Sequence, residues 1–352
     1  MTRLRQPVLI TGGAGFIGSN LADALLSDGQ RVIVADTLSR PGVDRNAEWL
    51  AGRHGSRVEI ERVDVADRDA LRPLVERAGA VYHLAAQVAV TTSVEDPEED
   101  LRANLLGTFN LLEIARSRPD PPPILFTSTN KVYGSLAGIP VEGGERGYRF
   151  ADGRSGVNEG APLDFHSPYG CSKGAADQYV RDYARIYGIP TVVFRMSCIY
   201  GRRQWGNEDQ GWVAHFARAL LAGDAIRIFG DGHQVRDILW IDDLVDAMRR
   251  AMDRIGTTAG EVFNIGGGPG NAVSVLEVVH ALAEILDRQV PLEMEPWRPG
   301  DQRIFVTDNT KLERALGWRP TTSSRAGLER LAAWLEEELA ETGVRVATAA
   351  GR

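Results

Sequence analysis

VLITGGAGFIG, residues 8–18, decides the fold, because a short β-branched run stops on glycines and an amphipathic stretch, SNLADALLSDG (19–29), follows at once. Gly13, Gly15 and Gly18 satisfy G-x-G-x-x-G, and Gly12 adds a second glycine register. A strand that turns through glycines into a helix lets the backbone approach a pyrophosphate, while the helix opening at Phe16 and Ile17 directs its amides and positive dipole end at the same place. Gly12, Gly15, Phe16, Ile17 and Gly18 are therefore candidate dinucleotide contacts. The next β run, RVIVAD (31–36), ends on Asp36, eighteen residues after Gly18. A carboxylate there accepts hydrogen bonds from the ribose hydroxyls and repels a 2′-phosphate, which favours NAD over NADP.

The pattern continues outward from this unit. VEIERVDV (58–65), AVYHLAA (80–86) and PILFTST (123–129) read as strands, separated by amphipathic stretches such as NLLGTFNLLEIARS (104–117). Strands alternating with helices predict a Rossmann-type α/β fold, a doubly wound parallel sheet with helices on both faces. Strand ends at Asp64-Val65 and Leu84-Ala85-Ala86 suit the adenine and the second ribose, although Asp64 equally suits a plain surface carboxylate. Residues 138–160 hold seven glycines and little apolar periodicity, and read as an inserted loop. SPYGCSKGAADQYVRDYARIYG (167–188) is helical, with Ser167 as cap and Pro168 in the first turn. After TVVFRMS (191–197) the chain mixes helices and shorter strands. This predicts an NAD-binding domain of residues 1–195 with 235–263, a smaller α/β substrate-binding lobe of 196–234 with 264–340, and a frayed tail over 341–352.

Composition narrows the class. A net charge of -8 over 352 residues disfavours broad binding to nucleic acid, and no apolar run approaches the length of a membrane span. The start of the chain lacks the long apolar stretch of a signal peptide, so a cytoplasmic protein is expected. Cys171 and Cys198 stand alone and the six histidines are scattered, so no metal is expected. Of 40 basic residues only Lys131, Lys173 and Lys311 are lysines. Each is a candidate for work that a planar, permanently charged guanidinium cannot do.

Tyr169 and Lys173 lie four residues apart on the 167–188 helix and share a face. A phenol with a reference pKa near 10 needs nearby positive charge to act as a base near neutrality, and Lys173 together with an oxidised nicotinamide provides it. TGGAGFIGS, HLAA, NLLGT, STNKVYG and YGCSK, in this order, resemble the extended short-chain dehydrogenases that modify nucleotide sugars. The resemblance runs on through FGDGHQVRDILWIDD and WRPGDQR to LGWRP, nearly the whole chain. It implies NAD as cofactor, Tyr169 as the acid/base on a sugar hydroxyl, Lys173 on the nicotinamide ribose, Thr129 hydrogen-bonded to the reacting hydroxyl, and Asn104 beside the cofactor. A purely structural role for Asn104 is an equal alternative.

The residues after Thr129 separate the reactions of that family. Its 4,6-dehydratases carry Thr-Asp-Glu, whereas this chain has Thr129-Asn130-Lys131. An amide and an ammonium cannot replace the acid and base that eliminate water, so the resemblance implies redox epimerisation rather than dehydration or decarboxylation. STNKVYG and the run from Phe165 to Gly188 are most similar to the branch that epimerises CDP-hexoses at C2; a UDP-sugar 4-epimerase is the alternative. Cys198 stands where 4-epimerases of the family usually have asparagine. Arg236 in QVRD and Arg298 in WRPGD are expected on the substrate diphosphate, with Arg203 and then Arg202 as weaker candidates; Asn130, Lys131 and Cys198 complete the expected substrate contacts. By analogy with the family, a homodimer is expected.

Overall fold

The computed structural model describes residues 6–298 and 301–342. Its strands in chain order are β1 (Val8–Thr11), β2 (Val32–Asp36), β3 (Val58–Arg62), β4 (Ala80–His83), β5 (Ile124–Thr129), β6 (Val141–Gly144), β7 (Gly147–Phe150), β8 (Thr191–Met196), β9 (Cys198–Tyr200), β10 (Ile226–Phe229), β11 (Val235–Trp240), β12 (Val262–Ile265), β13 (Ala272–Ser274), β14 (Leu292–Glu295) and β15 (Ile304–Phe305). Seven of them form one sheet in the order β12-β8-β5-β4-β1-β2-β3, with every neighbour parallel.

Because successive residues of a strand face opposite ways, each strand feeds two cores. Val8, Ile10, Val32, Val34 and Phe194 pack with helices α1 (Phe16–Ser27) and α2 (Val43–His54). Leu9, Ile33, Val81, Phe126 and Val193 pack on the other face with α3 (Arg68–Arg77). That face then receives one broken helix: α4 (Val90–Glu95), α5 (Pro97–Leu101), a π-helical turn at Arg102–Leu106, and α6 (Gly107–Arg116). Beside them lies α7 (Ser167–Tyr187), whose Ala176, Val180 and Tyr183 join this core.

The doubly wound sheet is as expected, but two details differ. The glycine-rich 138–160 segment is no plain loop, since β6 and β7 pair antiparallel within it. Gly147, at φ +141°, lies so close to β11 that a Cβ would stand 2.7 Å from Val235 Cγ2. This hairpin is held by pairing and by docking onto β11, so it leaves no alternation to read in its sequence. The second difference concerns the return to the large sheet, which begins later than residue 235. β11 instead is central to a small sheet with β9, β13 and β15, and all six of its residues are buried. Only β12, after α9 (Ile241–Asp253), joins the large sheet, beside β8. A fully buried strand reads alike in either sheet.

Helices α8 (Trp212–Ala222), α10 (Ile255–Thr258), α11 (Val275–Leu286), α12 (Thr310–Leu316) and α13 (Ser324–Thr342) are the remaining α-helices among the described residues, and β10 pairs with β14. α13 reaches Thr342, within the stretch expected to be a tail; residues 343–352 lie outside the described ones. Among the described residues no helix is long and apolar enough to cross a membrane.

Candidate active site

The glycine turn is dictated by sterics. Gly12 has φ +67°, and a Cβ on it would lie 2.7 Å from Ala85 N; one on Gly18 would lie 2.4 Å from the Gly12 carbonyl. A Cβ on Gly15 would meet only the Gly12 carbonyl, at 3.1 Å. Gly15 caps α1 without any side-chain cap, and no acidic side chain occupies the first turn of that helix. The amides at this end are thus left for an anion. Asp36 ends β2 beside the turn, where its carboxylate accepts from Ala14 N at 3.1 Å and Leu38 N at 3.0 Å. Burial pushes its pKa up, against those backbone donors and the nearby Arg40. These residues fit an adenosine ribose and a pyrophosphate. Leu84, Ala85 and Ala86 follow β4 at the adjacent strand end, and Ala85 crosses directly over Gly12. Val65 is buried against Gly107, while Asp64 is partly exposed and ion-paired with Arg102.

α7 carries the chemistry on its inner face. Tyr169, Lys173 and Asp177 recur at four-residue spacing and are all buried. The helix starts on a strained residue, Ser167 at φ +63°; His166 is the backbone cap, yet the Ser167 hydroxyl accepts from Gly170 N at 3.3 Å, as a cap would. The Tyr169 hydroxyl is hydrogen-bonded to Thr129, the last residue of β5. Burial pushes the phenol up to about 12; the Thr129 bond opposes this and Asp100 adds to it. Burial thus favours the neutral phenol, in keeping with the expectation that Tyr169 needs positive charge from both Lys173 and an oxidised nicotinamide before it can act as a base. Lys173 sits 4.2 Å above the Phe126 ring, and burial draws its ammonium down to about 7 against the pull of Asp177 and Asp100.

Neutral groups close the wall behind this pair. His83 lies between Thr11 Oγ1 at 2.6 Å and Thr108 Oγ1 at 3.0 Å, and burial followed by the Lys173 charge draws it down to about 3. Asn104 lies within the π turn, a feature that often marks functional sites. Its Oδ1 accepts from Gln87 N at 2.9 Å, and its Nδ2 donates to Asp100 Oδ1 and Ser172 Oγ, both at 3.0 Å. Its side chain thus braces the Gln87 segment, α5 and α7 at once.

On the lobe side, four residues from distant parts of the chain meet. Lys131 Nζ lies 3.5 Å from Asp301 Oδ1, which Arg236 Nη2 also reaches at 2.8 Å. Burial lowers the Lys131 pKa while Asp301 raises it, and its charge is also felt at Cys198. Cys198 Sγ accepts from Trp212 Nε1 at 2.9 Å. Asn130 is buried and accepts from Thr129 Oγ1 at 3.4 Å. The structure so brings together Thr129, Asn130, Lys131, Cys198 and Arg236. Two arginines are engaged otherwise. Arg203 pairs with Glu338 at 2.9 Å and stacks 4.2 Å from the Trp49 ring, which ties it to α2 and α13 rather than to this cluster. Arg298 stacks 3.8 Å from the Phe229 ring and pairs with Asp209 at 3.1 Å.

Sequence reasoning passed over Asp100, Ser172, Asp177, Arg195 and Asp301. Asp301 alone left a signal, as the carboxylate of WRPGD. A cavity of about 740 Å³ lined by Asn158, Glu159, Phe263, Lys311 and Arg314, among others, includes none of the site residues.

Fold and site together define an α/β dinucleotide-binding enzyme with a buried tyrosine and lysine one helical turn apart at the strand ends. The model of the NAD dependent epimerase/dehydratase family matches residues 8–266, and the chain belongs to that family of NAD-using, nucleotide-sugar-modifying enzymes. CDP-paratose 2-epimerase of Salmonella typhi is 41% identical over 334 residues, 93% of this chain and 98% of that protein. Among solved structures, UDP-glucose 4-epimerase of Thermotoga maritima with UDP-glucose superposes with a TM-score of 0.82 at 32% identity, covering 95% of this chain and 99% of that one. UDP-glucose 4-epimerase of Thermus thermophilus in complex with NAD superposes with a TM-score of 0.78 at 32% identity, covering 94% and 99%.

The place of Asp36 beside the glycine turn gives a direct expectation. Asp36→Asn removes the charged acceptor and should weaken NAD binding about tenfold, roughly 1.4 kcal/mol, while improving NADP relative to NAD. Calorimetric titration of the cofactor-free protein with each dinucleotide measures both; an unchanged ratio would take Asp36 out of ribose recognition.

Proposed function

We propose that this enzyme epimerises a CDP-hexose at C2 by transient oxidation to the 2-keto sugar and return of hydride to the opposite face. The observation that carries the reading is the wall beside Tyr169, where Thr129 is followed by Asn130 and a Lys131 held against Asp301 and Arg236. An ammonium and an amide offer no carboxylate acid/base pair for eliminating water, so a transiently oxidised sugar has no route there but reduction. The likeness to CDP-paratose 2-epimerase over nearly the full length of both chains supports the base and the carbon. Bound NAD supplies the hydride acceptor and donor, with an oxidised ring that is positively charged.

The protein's own part is positioning and proton transfer. With the positive charge of the oxidised ring and of Lys173 beside it, Tyr169 loses its proton; its phenolate oxygen takes the proton of the sugar hydroxyl and returns it when hydride comes back, and Thr129 orients both oxygens. Lys173 lends positive charge behind the phenol, and Asp36 and the glycine turn hold the cofactor. Arg236 and Lys131 stand where their charges can meet the substrate diphosphate or a sugar oxygen once Asp301 yields them. A second copy of the chain would cover the exposed apolar side chains of α7, Tyr179, Ile186 and Tyr187, with Leu101 and Leu106 nearby; sedimentation of the purified protein measures this.

The test is turnover of CDP-, UDP-, GDP- and TDP-hexoses in deuterated water, with products read by NMR. The expected product is a C2 epimer of a CDP-sugar that carries no deuterium on its ring. Inversion at C4 of a UDP-sugar would favour the second reading, which the likeness to the Thermotoga enzyme supports. Deuterium at the inverted carbon would overturn hydride return.

A further inference from the structure

We propose that Asp100 is a positioning residue for the acid/base pair, its buried carboxylate anchoring α7 and acting as a counter-charge to Lys173. The proposal rests on the reading of Tyr169 and Lys173 as that pair. Asp100 stands on α5, sixty-nine residues before Tyr169, and is fully buried. Its Oδ2 accepts from Ser172 Oγ at 2.5 Å and its Oδ1 from Asn104 Nδ2 at 3.0 Å. Ser172 is the residue just before Lys173, and the Ser172 hydroxyl also meets the Tyr169 carbonyl at 3.2 Å. One carboxylate therefore grips the turn of α7 that carries both residues, and through Asn104 it grips the segment at Gln87 as well.

A buried carboxylate is costly unless it is hydrogen-bonded or paired, and two neutral donors do not by themselves call for a full charge. The charge has a use because Lys173 is buried too. Lys173 is faced by Asp177 and Tyr169 on its own helix, by Asp100 from α5, by neutral His83 from β4 and by the Phe126 ring from β5. Asp177 is shared, since Arg195 holds both its oxygens at 2.8 Å. Asp100 is instead hydrogen-bonded by two neutral side chains, and its charge acts on both Lys173 and Tyr169. It favours the ammonium and disfavours the phenolate, so both ionisations lie at higher pH than they would without it.

The experiment compares the unaltered protein with Asp100→Asn and Ser172→Ala. With only three lysines in the chain, isotopically labelled lysine gives an NMR spectrum in which Lys173 is assigned by its loss in Lys173→Arg. In the cofactor-free Asp100→Asn protein, Lys173 should titrate about one pH unit lower. In the NAD-loaded enzyme both limbs of the kcat profile should move to lower pH by a similar amount. Ser172→Ala removes a hydrogen bond and keeps the charge, so it should lower kcat with both limbs in place. Where Asp100→Asn fails to fold, Asp100→Ser, smaller and equally uncharged, gives the same reading. A Lys173 titration unmoved by loss of the carboxylate overturns the proposal, as does an equal shift in Ser172→Ala. The lysine titration needs no substrate, so its failure is distinct from a failure of the epimerase reading, which turnover by the unaltered enzyme decides.

Discussion

Replacing Tyr169 with phenylalanine is expected to lower kcat about a thousand-fold while leaving the fold intact, the usual scale for losing a positioned acid/base. Phenylalanine keeps the ring in its buried place on α7 and removes only the hydroxyl that meets Thr129. Tyr133, just beyond β5, does not take its place, because its hydroxyl is tied to Asn264 at 2.7 Å and Arg195 at 3.0 Å. KM should change little, since the ring and the proposed diphosphate-binding arginine and lysine remain. Steady-state turnover of a CDP-hexose, with the thermal midpoint as a control on folding, measures this. Turnover within about threefold of the parent enzyme, far short of that acid/base scale, would remove Tyr169 from the mechanism.

The second large effect is on stability. Asp177 and Arg195 form a bidentate ion pair with both N–O distances at 2.8 Å and side chains only 1% and 3% exposed. Arg195 extends the network to Tyr133, and Tyr133 to Asn264 on β12, so it joins α7, β8, the turn after β5, and the sheet edge. Asp177→Leu leaves a guanidinium buried without its counter-charge and should cost about 3–5 kcal/mol in urea unfolding. Replacing both partners, Asp177→Leu with Arg195→Met, should recover most of that loss, because two apolar groups strand no charge. A single substitution that costs under about 1 kcal/mol would mean that water or another anion already serves Arg195.

Much of the molecule could be read along the chain because its determinants are local. The strand VLIT, the turn glycines and the helix after them are set by residue shape and by side-chain period, and Gly12 and Gly18 are glycines for the contact distances now measured. Tyr169 and Lys173 share a face of α7 by helical arithmetic alone, and Asp36 falls at its strand end by the length of one β-α-β step. The hairpin of β6 and β7 escaped notice because pairing and docking, not alternation, hold it. That β11 lies in the small sheet and β12 in the large one is not legible along the chain, because a strand buried on both sides carries no mark of its neighbours.

Lys131 stands out in the sequence as one of three lysines, but its partner is Asp301, 170 residues away, which Arg236 from another sheet shares. Arg203, a weaker candidate for the diphosphate, pairs with Glu338 and stacks on Trp49, contacts from helices far from it in sequence. Asn104 matched a family position, and only its partners showed that it braces α7 rather than reaching outward. By itself the sequence determined the doubly wound sheet, the cofactor turn and the tyrosine-lysine helix, since sterics and periodicity act between near neighbours in the chain. The tertiary structure decided which charges pair and which way buried protons lean, because Coulomb and desolvation energies depend on distance through space and on burial, to which separation along the chain is no guide.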